Sequence, residues 1–422
     1  MITLPASGIS SAGFIPVNSY LHHMAYGLPI LLKGPGETTM PVPASIEVPI
    51  HGETRKLFLI GLDPGNSAAK AAMYSPDGRI VTISVPAVVA DEQELAAGTP
   101  ATTYYEHSQA GEEPKVGRHI GEDAILFHGR SLPTGSTRER LSDPRYLPYL
   151  LQVIIELFLK AGYPPGDYDL LVAFGARNQE LRETAGGTEL DPPTKAAIDA
   201  HFLGRTRRFM RRSKDGDITS WSLITHEVVP GPQSYAGFHL WQKRPDGMPA
   251  QDIVHRVVDL DFGAFDLYRL VIDCAPGHPV TATRERVGDG MMIDLIQPFA
   301  SALKNQFGID TLDDALALKW FLSGHALVGG FAEDVTEIVQ QVRAKQVPAI
   351  IAHAFQGARR ATDFYRMKGG GVILMRKELE DKMTDLGRKR QTYLLMHDPA
   401  LLTAENAAGL LSILDLLVRI GS

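Results

Sequence analysis

The chain has one cysteine, Cys274, in 422 residues. A disulfide framework within the chain is therefore excluded, and such sparing use fits a reducing compartment. Long apolar runs are missing as well: no uncharged stretch approaches the roughly 18–20 residues that cross a bilayer. The opening residues, Met1-Ile-Thr-Leu-Pro-Ala-Ser-Gly8, lack the basic start and apolar core of a signal peptide. No G-x-x-x-x-G-K-[ST] spacing occurs, so there is no P-loop. Positive charge is not in excess either: the formal net charge of -7 argues against a protein that coats nucleic acid. These absences leave a cytoplasmic protein without membrane contact as the expectation.

What remains is ordinary globular material, 44% hydrophobic and 22% charged, in a chain long enough for two domains. Residues 1–55 read as an N-terminal extension, because Pro5, Pro16, Pro29, Pro35, Pro41, Pro43 and Pro49 recur too often for regular elements. Its apolar pieces, Tyr26–Leu32 and Ile46–Ile50, are candidates for docking on a domain. Three strands follow, Lys56–Leu62, Ala68–Ser75 and Arg79–Val85, joined by tight turns into an antiparallel meander. The region Asp91–Gly111 interrupts this pattern, and Lys115–Ala124 reads as a short strand entering a helix. Tyr146–Ala161 carries apolar residues at helical spacing and stops at Gly162. A buried strand at Tyr168–Phe174 and a helix at Pro193–Phe202 come next. The basic run Gly204–Lys214 reads as the solvated face of a strand that turns at Asp215-Gly216-Asp217, so direct DNA binding is not expected.

After the strand Trp221–Val229 a second cycle begins with strands at Ile253–Leu260 and Leu267–Ile272. A helix from Met291, kinked at Pro298, follows Gly288-Asp-Gly290. Further helices are expected at Phe331–Ala344, Val347–Gly357, Val372–Leu386 and Ala404–Ile420, with short strands at Phe364–Met367 and Tyr393–Met396.

The chemistry concentrates where strands end. Asp63-Pro-Gly-Asn-Ser-Ala-Ala-Lys70 places an acid, a glycine turn and a lysine directly after a buried strand. Backbone N–H groups of Gly65, Asn66 and Ser67 suit phosphate oxygens, Lys70 adds a point charge, and Asp63 suits a hydrated Mg²⁺. A second acid-and-glycine turn, Asp259-Leu-Asp261-Phe-Gly263, opens the second cycle. Such a duplication implies two related α/β domains facing each other across a nucleotide.

At these residues the chain resembles the actin-like ATPases, specifically the plasmid-segregation branch of bacteria and archaea. Asp63–Lys70 is similar to the family's first phosphate motif, D-x-G-[NS]-x-x-x-K. Val257–Asp266 is similar to the second, D-[IL]-G-x-x-T-x-D. Lys368-Gly-Gly-Gly371 resembles the glycine turn against adenine and ribose, contributed by Gly369, Gly370 and Gly371. Gly231–Gly237 resembles the interdomain connection that carries a water-orienting Gln or Glu, here Gln233. Asp398-Pro … Asn406-Ala-Ala-Gly409 is similar to the family's return helix. The resemblance covers roughly residues 57–420.

The second phosphate motif departs from the pattern. Read without a gap, Asp259 and Asp266 take its acidic positions, while Asp261 replaces the glycine and Ala264 the threonine. Read two residues later, Asp261-Phe-Gly263 restores D-x-G. The ungapped reading is taken, which makes Asp259 the catalytic, Mg²⁺-facing acid opposite Asp63, with Asp261 and Gly263 among the nucleotide contacts. The hydroxyl missing at Ala264 bears on hydrolysis more than on binding.

The resemblance implies an α/β actin-like ATPase fold of two ribonuclease H-like domains around a nucleotide cleft. It divides the chain into the extension 1–55, a first domain 56–230, a second domain 231–398, and a helix 399–422 returning to the first. It further implies ATP and Mg²⁺ as cofactors, self-association into filaments, and plasmid or DNA positioning through an adaptor protein. The alternatives are a small-molecule kinase of the same superfamily and a weakly hydrolysing nucleotide-binding scaffold.

Overall fold

The structure, a computed structural model, describes residues 45–50, 53–91, 103–109, 116–127, 129–177, 180–184, 187–242, 256–275, 278–357, 363–388, 393–396 and 399–421. Its first strands are β1 (Ser45–Ile50), β2 (Glu53–Pro64), β3 (Ala68–Tyr74), β4 (Ile80–Pro86), β5 (Val88–Asp91), β6 (Tyr104–Gln109) and β7 (Val116–Ile120). Next come α1 (Gly121–Leu126), β8 (Arg130–Ser131), α2 (Thr137–Leu141), α3 (Tyr146–Ala161) and β9 (Asp167–Ala176). A small hairpin, β10 (Leu181–Thr184) with β11 (Gly187–Leu190), precedes α4 (Pro192–Phe202), β12 (Arg207–Arg212) and β13 (Ile218–Pro232). Helix α5 (Gln233–Gln242) then leads to β14 (Arg256–Phe262), β15 (Leu267–Ala275) and β16 (His278–Gly288). A π-helical turn (Met292–Ile296) runs into α6 (Gln297–Phe307), followed by α7 (Asp314–Ser323) and the hairpin β17 (His325–Val328) with β18 (Phe331–Asp334). The chain continues through α8 (Thr336–Ala354), β19 (Asp363–Lys368), α9 (Gly370–Leu374), α10 (Arg376–Asp385), β20 (Tyr393–Leu395) and α11 (Pro399–Gly421).

Two sheets share one plan. In the larger, β4, β3, β2, β9 and β13 are neighbours in that order, and in the smaller, β16, β15, β14, β19 and β20. Both begin with two antiparallel pairings and continue with two parallel ones. The parallel strands are buried runs, as parallel strands covered on both faces must be: Leu57–Leu62 and Leu170–Phe174 are buried throughout. The larger sheet extends past β13 through β12, β6, β7, β5 and β8, and β1 pairs antiparallel with the start of β2.

Helix α3 buries Leu150, Ile154 and Phe158 in the core of the larger sheet, each contributing about 1.5–3 kcal/mol of burial. Gly162, with φ of 88°, ends it in the left-handed conformation. The other face of β2 and β9 is covered by α11, whose Ala407, Leu410, Leu411 and Leu414 pack on Leu59, Leu171 and Ala173. Contact there is very close: a Cβ on Gly61 would stand 2.0 Å from the Ala407 carbonyl oxygen. Where α11 crosses α5, a Cβ on Gly409 would stand 1.9 Å from the Ala236 carbonyl oxygen. The smaller sheet packs against the π-helical turn, α6, α7, α8 and α10 in a core of its own.

Several elements differ from the sequence expectation. Phe331–Asp334 is a strand and not the first turn of a helix, because Gly329 and Gly330, both at positive φ, close a two-residue hairpin. The two helices expected over 331–357 are one, α8, which runs through Pro348 and is held by the burial of Val347, Ile350 and Ile351. Pro298 lies in the first turn of α6, where its missing N–H costs little, and the irregularity sits in the π-helical turn before it. Val372–Leu386 divides at Met375 into α9 and α10. The interruption at Asp91–Gly111 contains β6, paired between β12 and β7. Ile46–Ile50 lies in β1; Tyr26–Leu32 and the rest of residues 1–44 lie outside the described residues.

Candidate nucleotide site

A cavity of about 350 Å³ opens between the carboxyl ends of the two central strands, β2 and β14, the place where α/β sheets bind ligands. The first wall is the β2–β3 turn, contributing Asp63, Gly65, Asn66, Ser67 and Lys70. Asp63 and Lys70 are cross-strand partners, and the ammonium lies 3.6 Å from Asp63 Oδ2. The Gly65 N–H donates to the Asp63 carbonyl at 2.9 Å, tightening the turn. A Cβ on Gly65 would stand 2.6 Å from the Ala68 carbonyl oxygen, so glycine is required sterically. Arg140, buried in α2, donates to the Pro64 carbonyl and, at 2.8 Å, to the Tyr146 hydroxyl. Burial, the largest influence, pushes that hydroxyl's pKa up to about 12 and keeps it protonated.

The second wall repeats the first. Asp261 is the cross-strand partner of Tyr268, and a Cβ on Gly263 would stand 2.6 Å from the Asp266 carbonyl oxygen. The acid, the glycine two residues on and the partner seven residues on thus match Asp63, Gly65 and Lys70. By strand register the counterpart of Asp63 is Asp261, not Asp259. The Gly263 and Ala264 carbonyls accept from the N–H groups of Met291 and Met292, at 3.1 and 2.7 Å, which seats this turn on the start of the π-helical turn.

This register corrects the position expected for Asp259. Its side chain lies one pleat behind Asp261 and away from the cavity lining, 1% exposed, with Arg366 Nη1 2.9 Å from both carboxylate oxygens. Arg366, itself fully buried, also pairs with Glu405 of α11 and lies over the Trp241 ring. Burial alone would lower its pKa, but Asp259 and Glu405 reverse the effect and raise it. A buried carboxylate in a strand needs such a partner, and here Arg366 supplies it outside the cavity lining.

Every other expected site residue lines the cavity: Asp63, Gly65, Asn66, Ser67, Lys70, Gln233, Asp261, Gly263, Gly369, Gly370 and Gly371. Gln233 opens α5 and donates its amide to Asp63 Oδ1. Gly369 has φ of 90° and would bring a Cβ within 2.6 Å of the Phe262 carbonyl oxygen, so only glycine turns the chain there. Gly370, by contrast, has open space beside it. Met291, Met292, Leu318, Leu322 and Ile373 add an apolar part to the lining.

Sequence reasoning missed Arg140, Arg177 and Glu405, and quoted Lys368 and Asn406 without giving them a role. Arg177, just past Gly175 at the end of β9, donates to Asp266 Oδ2 at 2.5 Å and so ties the two walls together. Its pKa is lowered by burial but raised overall by that bond. A cation directly after the carboxyl end of a central strand was the available signal. Glu405 had none, because only the fold brings α11 to the cleft.

Both acids have a lysine 3.6 Å away, and the donor set fits a divalent cation better on the first wall, where an unpartnered acceptor joins the acid. Asp63 faces the cavity, and Asn66 Oδ1 is buried without a hydrogen-bond partner, an acceptor suited to a metal-bound water. On the other wall the Lys368 ammonium sits 3.6 Å from Asp261 Oδ2. Among the described residues no group of three or more His, Cys, Asp or Glu could cage a metal, so an ion here would depend on Asp63, water and ligand phosphates.

No family model and no curated protein matches the chain. Solved structures do. An archaeal actin homolog, Ta0583, in complex with ADP is 17% identical over 85% of this chain and 99% of that one, with a TM-score of 0.58. The apo psk41 ParM protein is 13% identical over 86% of this chain and 99% of that one, with a TM-score of 0.54. Bacillus thuringiensis ParM with ADP is 13% identical over the same shares, with a TM-score of 0.53. The chain therefore has the actin-like α/β fold, in agreement with the family that its motifs resemble.

Proposed function

We propose that this chain is an actin-like ATPase that binds a nucleoside triphosphate in the cleft and assembles into filaments in response. One observation carries the reading: two hairpin turns of the same construction, Asp63–Lys70 and Asp261–Tyr268, face each other across one cavity floored by Gly369–Gly371. Two of the solved structures with this fold contain ADP. Phosphoryl transfer depends mostly on positioning and charge. The Asp63–Lys70 turn would hold the terminal phosphates, and Gln233, held by Asp63, would orient a water for in-line attack. A Mg²⁺ ion, when bound, would neutralise phosphate charge on the Asp63 side. In this reading the domains divide as 56–230 and 231–398, with 399–422 returning to the first. Filaments would position DNA through an adaptor.

A small-molecule kinase would need a carboxylate available as base. The two second-wall candidates are already engaged, Asp261 by Lys368 and Asp266 by Arg177 and Arg286, which favours hydrolysis. Phosphate release and sedimentation, measured together across a protein-concentration series with ATP and Mg²⁺, test the proposal. Both should rise together above a threshold concentration. Sedimentation indifferent to nucleotide would overturn filament formation, and no binding of a fluorescent ATP analogue would overturn the whole reading.

A further inference from the structure

The two walls obtain their lysine from different places. Asp63 takes its cation, Lys70, from the antiparallel neighbour β3, and its parallel neighbour β9 offers Gly175, one step beyond the pair Leu62 and Phe174. At Asp261 the arrangement is reversed. The antiparallel neighbour β15 offers Tyr268, and the parallel neighbour β19 offers Lys368. The cation has moved from one side of the acid to the other, and each acid still has a lysine 3.6 Å away.

Lys368 is held firmly in this position. Its ammonium lies 3.6 Å from Asp259 Oδ2 and donates to Asn406 Oδ1 at 3.1 Å, with the side chain 3% exposed. The next residue, Gly369, turns at positive φ, and a Cβ on Gly237 of α5 would stand 3.0 Å from the ammonium. Strand, turn and both crossing helices therefore fix one charged atom on the cavity wall. That atom stands 3.6 Å from Asp261, the acid through which the second wall would otherwise hold a divalent ion.

We propose that Lys368 is a resident cation of the nucleotide cleft, supplying on the second wall the positive charge that would otherwise come from a metal ion. This deepens the nucleotide-binding reading and rests on it. With Lys70 on one side and Lys368 on the other, each wall meets the triphosphate with an ammonium of the chain's own, each shared with a carboxylate. Part of the phosphate charge then stays countered when the divalent ion is removed.

The test is equilibrium binding of a fluorescent ATP analogue to the full chain, in excess Mg²⁺ and in EDTA. Chelation should weaken wild-type binding by no more than about tenfold. Lys368→Met should weaken binding in Mg²⁺ and lose at least about another tenfold in EDTA beyond that loss, and Lys368→Arg should behave as wild type. Should Lys368→Met fail to fold, the charge-balanced Asp261→Asn/Lys368→Met variant replaces it, with the same loss in EDTA expected. Wild-type binding abolished by EDTA overturns the inference while leaving nucleotide binding intact. So does an equal loss for the variant in both conditions, or wild-type behaviour of the double variant in EDTA. No binding by wild type in Mg²⁺ overturns the nucleotide reading, and this inference with it.

Discussion

Arg177 and Asp266 form an ion pair between the end of β9 and the β14–β15 turn, with the guanidinium 2.5 Å from the carboxylate and both side chains largely buried. Arg286 reaches the other oxygen of the same carboxylate at 2.8 Å. Because Asp266 keeps Arg286 when Arg177 is lost, the bond between the walls can be removed without stranding the acid. A double-mutant cycle of Arg177→Met with Asp266→Asn, followed by urea unfolding, should give a coupling energy of about 1–2 kcal/mol. A coupling indistinguishable from zero would mean that the pair does not hold the walls together in solution.

In the proposed mechanism Gln233 orients the attacking water, and its amide donates to Asp63. Gln233→Ala should lower phosphate release by about 100-fold while changing nucleotide affinity by less than about threefold. An unchanged rate would leave the chain a nucleotide-binding scaffold.

The glycine triplet makes an internal control. Gly369→Ala places a Cβ 2.6 Å from the Phe262 carbonyl oxygen and 2.7 Å from Asp261 Oδ1, at a φ of 90°. It should cost about 1–3 kcal/mol of stability and weaken nucleotide binding. Gly370→Ala, with open space beside it, should stay within about 0.5 kcal/mol of wild type. Paired denaturant curves check both, and equal effects would contradict the turn geometry.

Burial raises the Glu227 carboxyl above its ordinary range, only partly opposed by Lys195. The folded state therefore holds this proton more tightly than the unfolded chain. Stability falls as pH rises from the unfolded value through the raised folded one, and the loss is complete above it. Glu227→Gln should match wild type in acid and exceed it at neutral pH. Urea midpoints across pH 4–8 would reveal this, and a gap independent of pH would rule it out.

The sheet plan was legible because buried strands and tight turns are local signals. Leu57–Leu62, the turn at Asp63–Gly65 and the helix Tyr146–Ala161 could be read almost residue by residue. Asp259 could not be placed correctly, because its motif admits two alignments two residues apart. Both alignments put the acid on the same face of the strand, so alternation cannot separate them. Only the pairing of Asp261 with Tyr268 and the buried Arg366 do so. Helices are expected from the sequence at Phe331–Ala344 and Val347–Gly357, whereas burial of Val347, Ile350 and Ile351 carries one helix, α8, through the boundary between them. Arg177, Lys368 and Glu405 act across long sequence separations, through a second sheet, a neighbouring strand and a returning helix respectively, and no local pattern announces those partners.

The close seating of α11 on Gly61 and Gly409 has a consequence for biosynthesis. On the ribosome, β2 and β9 emerge well before residues 399–421 exist. Until then, Leu59, Leu171 and Ala173 have no α11 to cover them. An apolar surface of that kind is aggregation-prone while it waits for its cover. The cleft cannot mature any earlier, because Glu405 and Asn406 arrive on that same helix. The cleft is therefore completed only when α11 packs on strands made much earlier in the chain.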